Sequence, residues 1–506
     1  MIDPLQSDLP PAERERIRHS ALYNDDLAPI SSHDRRWGLV DIAHLWVGMS
    51  VCIPTYMLAS SLIDGGMNWW QAVLTVALGN LIVLVPMVLN GHAGTKYGIT
   101  FPVFARAAFG TAGTHVASVL RGIVACGWFG IQTWIGGFAI YKLLLLQWPG
   151  LADSPVIGFI SSDLARVNVA QFACFLFFWW INVAIFWRGM ESIRKVENWG
   201  APLLIALGLA LLVWAYMKAD GFGPMLSQPA RFASSTDFWK FFFPSLTAMV
   251  GFWATLSLNI PDFTREAKSQ RDQLWGQFLG LNTTMPLYAF IGVAVTSATV
   301  VIFGEAIWNP VELLARFDSV GLMIVSMFAL TLATLTTNLA ANTVAPATAF
   351  SNFLPRAISL RVGGIITGII GILMRPWELI ADPSGYIFTW LIGYSALLGP
   401  IGGILVCDYF VIRRRELNLA ALYDSRGEYA YQGGYNLRAL IALVLAIAPN
   451  VPGFLIKIGK LEASEFWTGI YHYAWFIGFL IAFVLYYLLM ASYRPGKEVI
   501  NDQMTK

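Results

Sequence analysis

Charge is what this chain is short of. Only 13% of its 506 residues are Asp, Glu, Lys or Arg, against about 25% in ordinary soluble domains. The hydrophilic connections of a multidomain soluble protein are therefore missing. An excess of one sign is missing too. Lys and Arg number 33 against 31 Asp and Glu, the formal net charge is +2, and no basic block is present to grip a nucleic acid. The four cysteines, Cys52, Cys126, Cys174 and Cys407, lie far apart in apolar runs without a CxxC or Cys/His cluster. That argues against a disulfide framework and against a metal site of the zinc type. HExxH and GxSxG patterns are absent, and the Gly-rich loop at 90–98 lacks both the strand and the GK[ST] ending of a phosphate loop; it reads as part of the cytoplasmic connection between the second and third helices. With no nucleophile, acid–base pair or metal cluster in view, neither enzymatic activity nor a cofactor is expected.

What the chain has in quantity is apolar sequence: 57% hydrophobic residues and a mean hydropathy of +0.60. A bilayer core of about 30 Å needs about 20 apolar residues per helix. Such runs fall at 38–63, 70–90, 113–146, 168–187, 199–217, 240–260, 275–303, 320–344, 361–375, 386–412, 437–457 and 466–491. The expected fold is an all-α integral membrane protein of twelve spans. The runs are far too long for the roughly 10-residue strands of a membrane barrel. The first 36 residues, polar and holding Pro4, Pro10 and Pro11, read as a mostly disordered cytoplasmic tail and not as a signal peptide. With the N-terminus inside, inner segments hold 22 Lys and Arg and outer loops hold 8, which puts both termini in the cytoplasm. The run Arg413-Arg414-Arg415 reads as a stop signal against anionic lipid.

Two spans look interrupted. Pro54 falls inside the first, and Gly251-Phe252-Trp253, Ser257, Asn259 and Pro261 weaken the sixth. In hydrocarbon an unpaired backbone group costs several kcal/mol, so a break survives only beside a cavity or packed protein. Breaks five spans apart imply an inverted repeat of five plus five helices, with substrate and ion held near the midplane, as in secondary transporters. The domains expected are a tail at 1–36, repeats at 37–217 and 240–412, two additional helices at 437–491 and a cytoplasmic tail at 492–506.

Charge is nearly absent from mid-span positions; Asp41, His44 and Asp408 fall near span ends. A cleft there suits a neutral ligand. Trp128 and Gln132 are four apart on the third span and share a face. An indole stacks on a flat ring, and a carboxamide matches a ring –NH–C(=O)– edge. Gly130 lets a backbone or ligand come close. Asn338 and Asn342 share a face of the eighth span with Thr334. Both are expected to contact the ligand, since such uncharged oxygens suit a ligand amide or a dehydrated cation, with helix–helix hydrogen bonding as the alternative. Trp253 supplies a second aromatic face opposite Trp128. Asp262, in Pro261-Asp262-Phe263, reads best as a cap on the following segment, with a gate or proton step as the alternative.

Several stretches together resemble the nucleobase–cation symporter family, which includes bacterial hydantoin and allantoin permeases and uracil permeases. They are Ile53-Pro54-Thr55-Tyr56, NGHAGTKYG at 90–98, WFGIQTW at 128–134, NIPDFTR at 259–265, TTNLAAN at 336–342, and LGPIGG followed by DYF at 398–410. The likeness runs from Tyr23-Asn24-Asp25-Asp26-Leu27 to about Tyr493, and GMESIRKVENWGAP at 189–202 looks nearest the allantoin-permease branch. It implies a LeuT-type fold, with ten core helices in two inverted halves and two more at the C-terminus. It also implies a ligand sandwiched between Trp128 and Trp253 with amide contacts from Gln132 and Asn342. A sodium site is implied at Gly48, Val51, Ala333, Thr336 and Thr337. Cys52 stands where relatives often carry Asn or Gln, so the resemblance does not supply a polar contact from the first span.

The function expected is import of a neutral cyclic amide such as allantoin, uracil or hydantoin across the inner (cell) membrane. Transport would be cation symport with Na+ or H+ by alternating access. The partners expected are that small neutral heterocycle and the lipid bilayer, with no nucleic acid and no obligate protein partner. An amino-acid or amine symporter of the same fold is the alternative.

Overall fold

The computed structural model describes residues 10–188, 190–354 and 357–491; the side chains of 190–201 and 340 fall outside that description. So do the expected C-terminal tail and most of the 189–202 motif. Every named element among the described residues is helical, and only isolated bridges represent β structure.

The first span is two helices, Leu39–Ser50 and Ile53–Asp64, bent by 58°. Val51 and Cys52 between them are extended or irregular. Pro54 does not interrupt a helix; it sits in the first turn of the second one. There its missing N–H costs no hydrogen bond, because the first turn donates to nothing within the helix. The second, third and fourth spans are Trp69–Tyr97, Thr114–Gln147 and Val169–Trp187. Asn68 and Asn168 start two of them with reciprocal caps to Gln71 and Gln171. The fifth span is Met190–Lys218. The sixth is Ser235–Phe252 followed by Ala254–Asn259, with a one-residue break at Trp253. Then come Gln270–Phe303, Val320–Asn342, Leu360–Leu373 and Gly385–Ile412, and finally Leu437–Lys457 and the bent pair Glu465–His472 and Ala474–Met490.

All twelve expected segments are thus helical. Seven helices among the described residues are long and apolar enough to cross a bilayer, or nine with each bent pair taken as one span. The shortfall against twelve comes from Ser235–Phe252, whose span is split at Trp253, and from two shorter apolar helices, Pro202–Lys218 and Leu360–Leu373.

Two groups of spans, or bodies, pack closely, and the fifth span touches both. The seventh lies along both halves of the first and along the second, and the second lies along the sixth. The third packs against the fourth, eighth and ninth. The two breaks face the seam between these bodies.

Two polar regions depart from expectation. The glycine-rich stretch 90–98 is helix to Tyr97, ending at Gly98 in the left-handed conformation. Its glycines serve packing: a Cβ on Gly91 would meet Gln273 and Thr264, and one on Gly94 would lie 2.7 Å from the Pro261 backbone. Thr95 and Thr264 lock this contact through hydrogen bonds to the Thr264 and Gly91 carbonyls.

The N-terminal segment, from residue 10 on, is folded and not a loose tail. Pro11–Arg18 is helical, and Ile17 and Leu27 are almost wholly buried. Tyr423 donates to the Leu27 carbonyl at 2.6 Å, Ser20 donates to the Tyr423 carbonyl, and Arg16 pairs with Asp424. Buried Arg106 donates to the carbonyls of Leu22 and Leu422 and to Asn352. Hydropathy misses this because a few buried side chains, each worth about 1.5–3 kcal/mol, suffice to seat a polar segment. Arg413 likewise turns inward, to Asp408, Glu428 and the Ala107 carbonyl, so it is not available to lipid headgroups.

The close approach at Gly94 yields a direct expectation. Gly94→Leu overpacks the contact with Pro261 and Thr264 and costs about 1–3 kcal/mol. A thermal unfolding midpoint in detergent that does not fall would contradict this.

Candidate functional site

A small cavity of about 40 Å³ lies between the two bodies at the breaks. Cys52 and Pro54 come from the first break, Phe252, Trp253 and Thr255 from the second, Trp128 and Gln132 from the third span, and Thr337 and Asn342 from the eighth. No charged side chain lines it among the described residues. Four residues singled out from the sequence, Trp128, Gln132, Trp253 and Asn342, therefore meet in one place.

The indoles are held firmly. Trp128 is surrounded edge-on by Phe252, Tyr386, Trp390 and Tyr394, with centroids 5.2–6.4 Å away. Trp253 donates its Nε1 hydrogen to Asn80 Oδ1 at 3.1 Å and takes Trp46 on edge at 5.1 Å. Phe252 touches both tryptophans, its ring 5.2 Å from Trp128 and 5.0 Å from Trp253. Neither Phe252 nor Asn80 stood out in the sequence, since a phenylalanine in an apolar run and an asparagine 173 positions away carry no local signal. Gly130 admits a backbone and not a ligand: its Cβ would lie 2.4 Å from the Gly371 carbonyl oxygen.

The carboxamides differ from one another. Gln132 is 4% exposed, and its Oε1 is buried without a hydrogen-bond partner. Asn342 donates to Asn338 Oδ1 at 3.1 Å. Asn338 itself does not line the cavity. It is fully buried behind Asn342, its Nδ2 directed to Asn182, Thr133 and the Phe129 carbonyl. The shared helix face predicted it as a ligand contact, but packing of the third and fourth spans against that part of the face makes it a support.

A larger cavity of about 980 Å³ opens from this region toward the side carrying the N-terminal segment. Met49 and Thr337 belong to both walls. Gly48 and Thr336 line its inner end, while Asp25, Asp26, Asp41, His44 and Glu266 lie farther along. Burial pushes the Glu266 carboxyl up, against the opposing pull of Arg265, Arg36 and Arg35. Asp262 also lines this cavity. It caps no following segment; its Oδ1 accepts from the Phe101 N–H at 2.7 Å and so caps the helix Phe101–Phe109 from across the chain.

The residues that the resemblance implies for sodium offer backbone carbonyl and hydroxyl oxygens. The first helix of the broken span ends at Ser50, after Val51 N–H bonds the Val47 carbonyl, and the carbonyls beyond lose their helical partners. Thr336 and Thr337 both donate to the Ala333 carbonyl, at 2.7 and 3.0 Å, which keeps their oxygen lone pairs free. Hard carbonyl and hydroxyl oxygens suit Na+. Val51 and Ala333 are buried and have only backbone oxygen to offer; the Ala333 carbonyl already accepts from both threonine hydroxyls, so a cation there would share it with them.

The chain matches the family model described as permease for cytosine/purines, uracil, thiamine, allantoin over residues 29–478. It is 48% identical over 481 residues to a purine-uracil permease of Arabidopsis thaliana, covering 94% of this chain and 79% of that one. It is 39% identical to the allantoin permease of Bacillus subtilis, covering 95% of each. The inward-facing conformation of Mhp1 superposes with a TM-score of 0.75 at 26% identity over 94% of each chain.

Gln132 carries its own test. An unpaired buried carbonyl costs about 1–3 kcal/mol, so Gln132→Leu should raise the thermal midpoint of the ligand-free protein. A lowered midpoint would show that the carboxamide is satisfied in the resting protein.

Proposed function

The chain belongs to the family of permeases for cytosine/purines, uracil, thiamine and allantoin, and from that premise we propose that it imports a neutral cyclic amide by cation symport. It is a multi-pass membrane transporter of LeuT-type fold. The proposed topology has twelve spans in the cell (inner) membrane with both termini cytoplasmic. Residues 37–217 and 240–412 form the two repeats and 437–491 the additional helices.

One observation carries the reading. An uncharged cavity at two helix breaks presents two indoles and two carboxamides, and one carboxamide, Gln132, is buried with its oxygen unpaired. A flat –NH–C(=O)– ring satisfies what the protein leaves open. Its faces stack on Trp128 and Trp253, after Phe252 moves aside, and its edge pairs with Gln132 and Asn342. The substrate class named for the relatives, purine-uracil and allantoin, fits this chemistry. An amino acid or amine would need a counter-charge, and none lines the cavity among the described residues.

Gly48, Val51, Ala333, Thr336 and Thr337 are the proposed cation site, for Na+ or H+ coupling. A Na+ ion there would tie the first span to the eighth, one in each body, by sharing oxygens across the seam. Gly48, Thr336 and Thr337 also border the larger cavity, which supports release of cation and ligand through it. Its acidic side chains favour a departing cation. Cation and substrate together bias the two bodies toward their closed arrangement by binding that arrangement more tightly.

Labelled uracil, allantoin and hydantoin should each be offered to reconstituted vesicles under separate Na+ and H+ gradients. At least one should accumulate. Competition by amino acids but not by these rings would favour the amine reading instead. Gln132→Ala should weaken apparent affinity by about 1–3 kcal/mol, and unchanged affinity would remove Gln132 from the site. If Na+ is the coupling ion, Thr336→Val with Thr337→Val should abolish the Na+ dependence; retained dependence would place the ion elsewhere.

A further inference from the structure

Behind the cavity three carboxamides form a chain whose direction is fixed by backbone. Asn182, fully buried on the fourth span, donates its Nδ2 hydrogen to the Phe178 carbonyl at 2.8 Å. A carbonyl only accepts, so the Asn182 Nδ2 must face it and Oδ1 must face the other way. That Oδ1 accepts from Asn338 Nδ2 at 3.2 Å. The same Asn338 Nδ2 also meets the Phe129 carbonyl at 3.3 Å and Thr133 Oγ1 at 3.1 Å. Thr133 has spent its hydrogen on the Phe129 carbonyl at 2.7 Å, so it too can only accept here.

Amide orientation is normally inferred from such surroundings. Three acceptors around one atom leave Asn338 a single sense: a flip would bring its oxygen against all of them, unpaired and buried. Asn338 Oδ1 is thereby turned to Asn342, which must answer with Nδ2, at 3.1 Å. The Asn342 oxygen receives no hydrogen bond among the described residues and is left for the cavity that Asn342 lines.

We propose that Asn338, without touching the ligand, fixes Asn342 as a hydrogen-bond acceptor and so selects ligands that present an N–H at that edge. Gln132, which has no such tether, adapts to either a donor or an acceptor. The ring is therefore read with one fixed and one adjustable amide. This rests on the cyclic-amide reading given above and deepens it: the cargo must carry an unsubstituted ring N–H facing the eighth span.

The test compares a transported ring with its ring N-methyl isomers as competitors of labelled uptake. In the wild type, at least one isomer should compete at least about tenfold more weakly than the parent, the loss of roughly one hydrogen bond. Asn338→Leu is close to isosteric and lies off the cavity, so it does not enlarge the space for a methyl group. It frees Asn342 to rotate, and the parent-to-methyl ratio should fall toward one. Asn182→Leu, which keeps two of the three acceptors, should move the ratio in the same direction by a smaller factor and guards against Asn338→Leu failing to fold. A purely structural role would lower uptake of parent and isomer alike and leave the ratio where it was; that result, or a wild type that accepts every methyl isomer equally, overturns the proposal. If the wild type transports no cyclic amide, the functional reading itself fails and this inference falls with it.

Discussion

Backbone that has lost its helix inside a membrane is the constraint on which this structure turns. Lipid cannot hydrogen-bond a free N–H or C=O, so a break is tolerated only where protein or bound solute covers it. Two of the chain's breaks, at Val51-Cys52 and at Trp253, open onto the same seam. The first break leaves the last carbonyls of Leu39–Ser50 without helical partners, whereas at the second the Trp253 N–H and carbonyl stay bonded to Val250 and Ser257. The side chains that line the seam's cavity are uncharged among the described residues, with Trp128, Phe252 and Trp253 as the aromatic ones, so the seam stays compatible with the apolar setting around it.

Keeping those breaks aligned requires two bodies that are each stiff. Within one, spans meet at backbone distance through glycine: Gly94 against Pro261, Gly280 against Ala43, Gly292 against Tyr56. Within the other, Gly130 meets Gly371 and Gly363 meets Ala347. Small residues bring membrane helices close where the hydrophobic effect gives no drive for association. The polar network of Asn182, Asn338 and Thr133 adds direction to that packing, because each amide has its sense set by acceptors that cannot donate. At the ends of the spans, Arg106, Asp262 and Arg413 spend their charges on carbonyls, backbone N–H groups and buried partners. They knit the connections to the bodies they join.

Much of this is legible in the sequence alone. A span of some 20 apolar residues is a strong signal, and the twelve segments read from it are all helical. Trp128, Gln132, Trp253 and Asn342 were visible as polar or aromatic groups at four-residue spacing or at a suspected break. The misreadings share a cause. The glycines of 90–98 read as a loop, because glycine in a packing groove and glycine in a turn look alike in one dimension. Residues 10–36 read as loose, because a polar composition hides the few anchors, Ile17, Leu27 and Tyr23, that seat them. Asp262 caps a helix that lies earlier in the chain, at Phe101, and no local rule looks 161 positions back.

Amino-acid order alone set the solvent of this protein and its scale of parts, since hydropathy and charge scarcity are properties of composition and local order. It determined too which side chains were available for a flat neutral ring. Tertiary structure alone decided which of two asparagines on one helix face meets the cavity and which stands behind it, because that depends on where the third and fourth spans press. It decided as well that the site is walled by Phe252 and steadied by Asn80, contacts between residues far apart in the chain that only packing brings within reach.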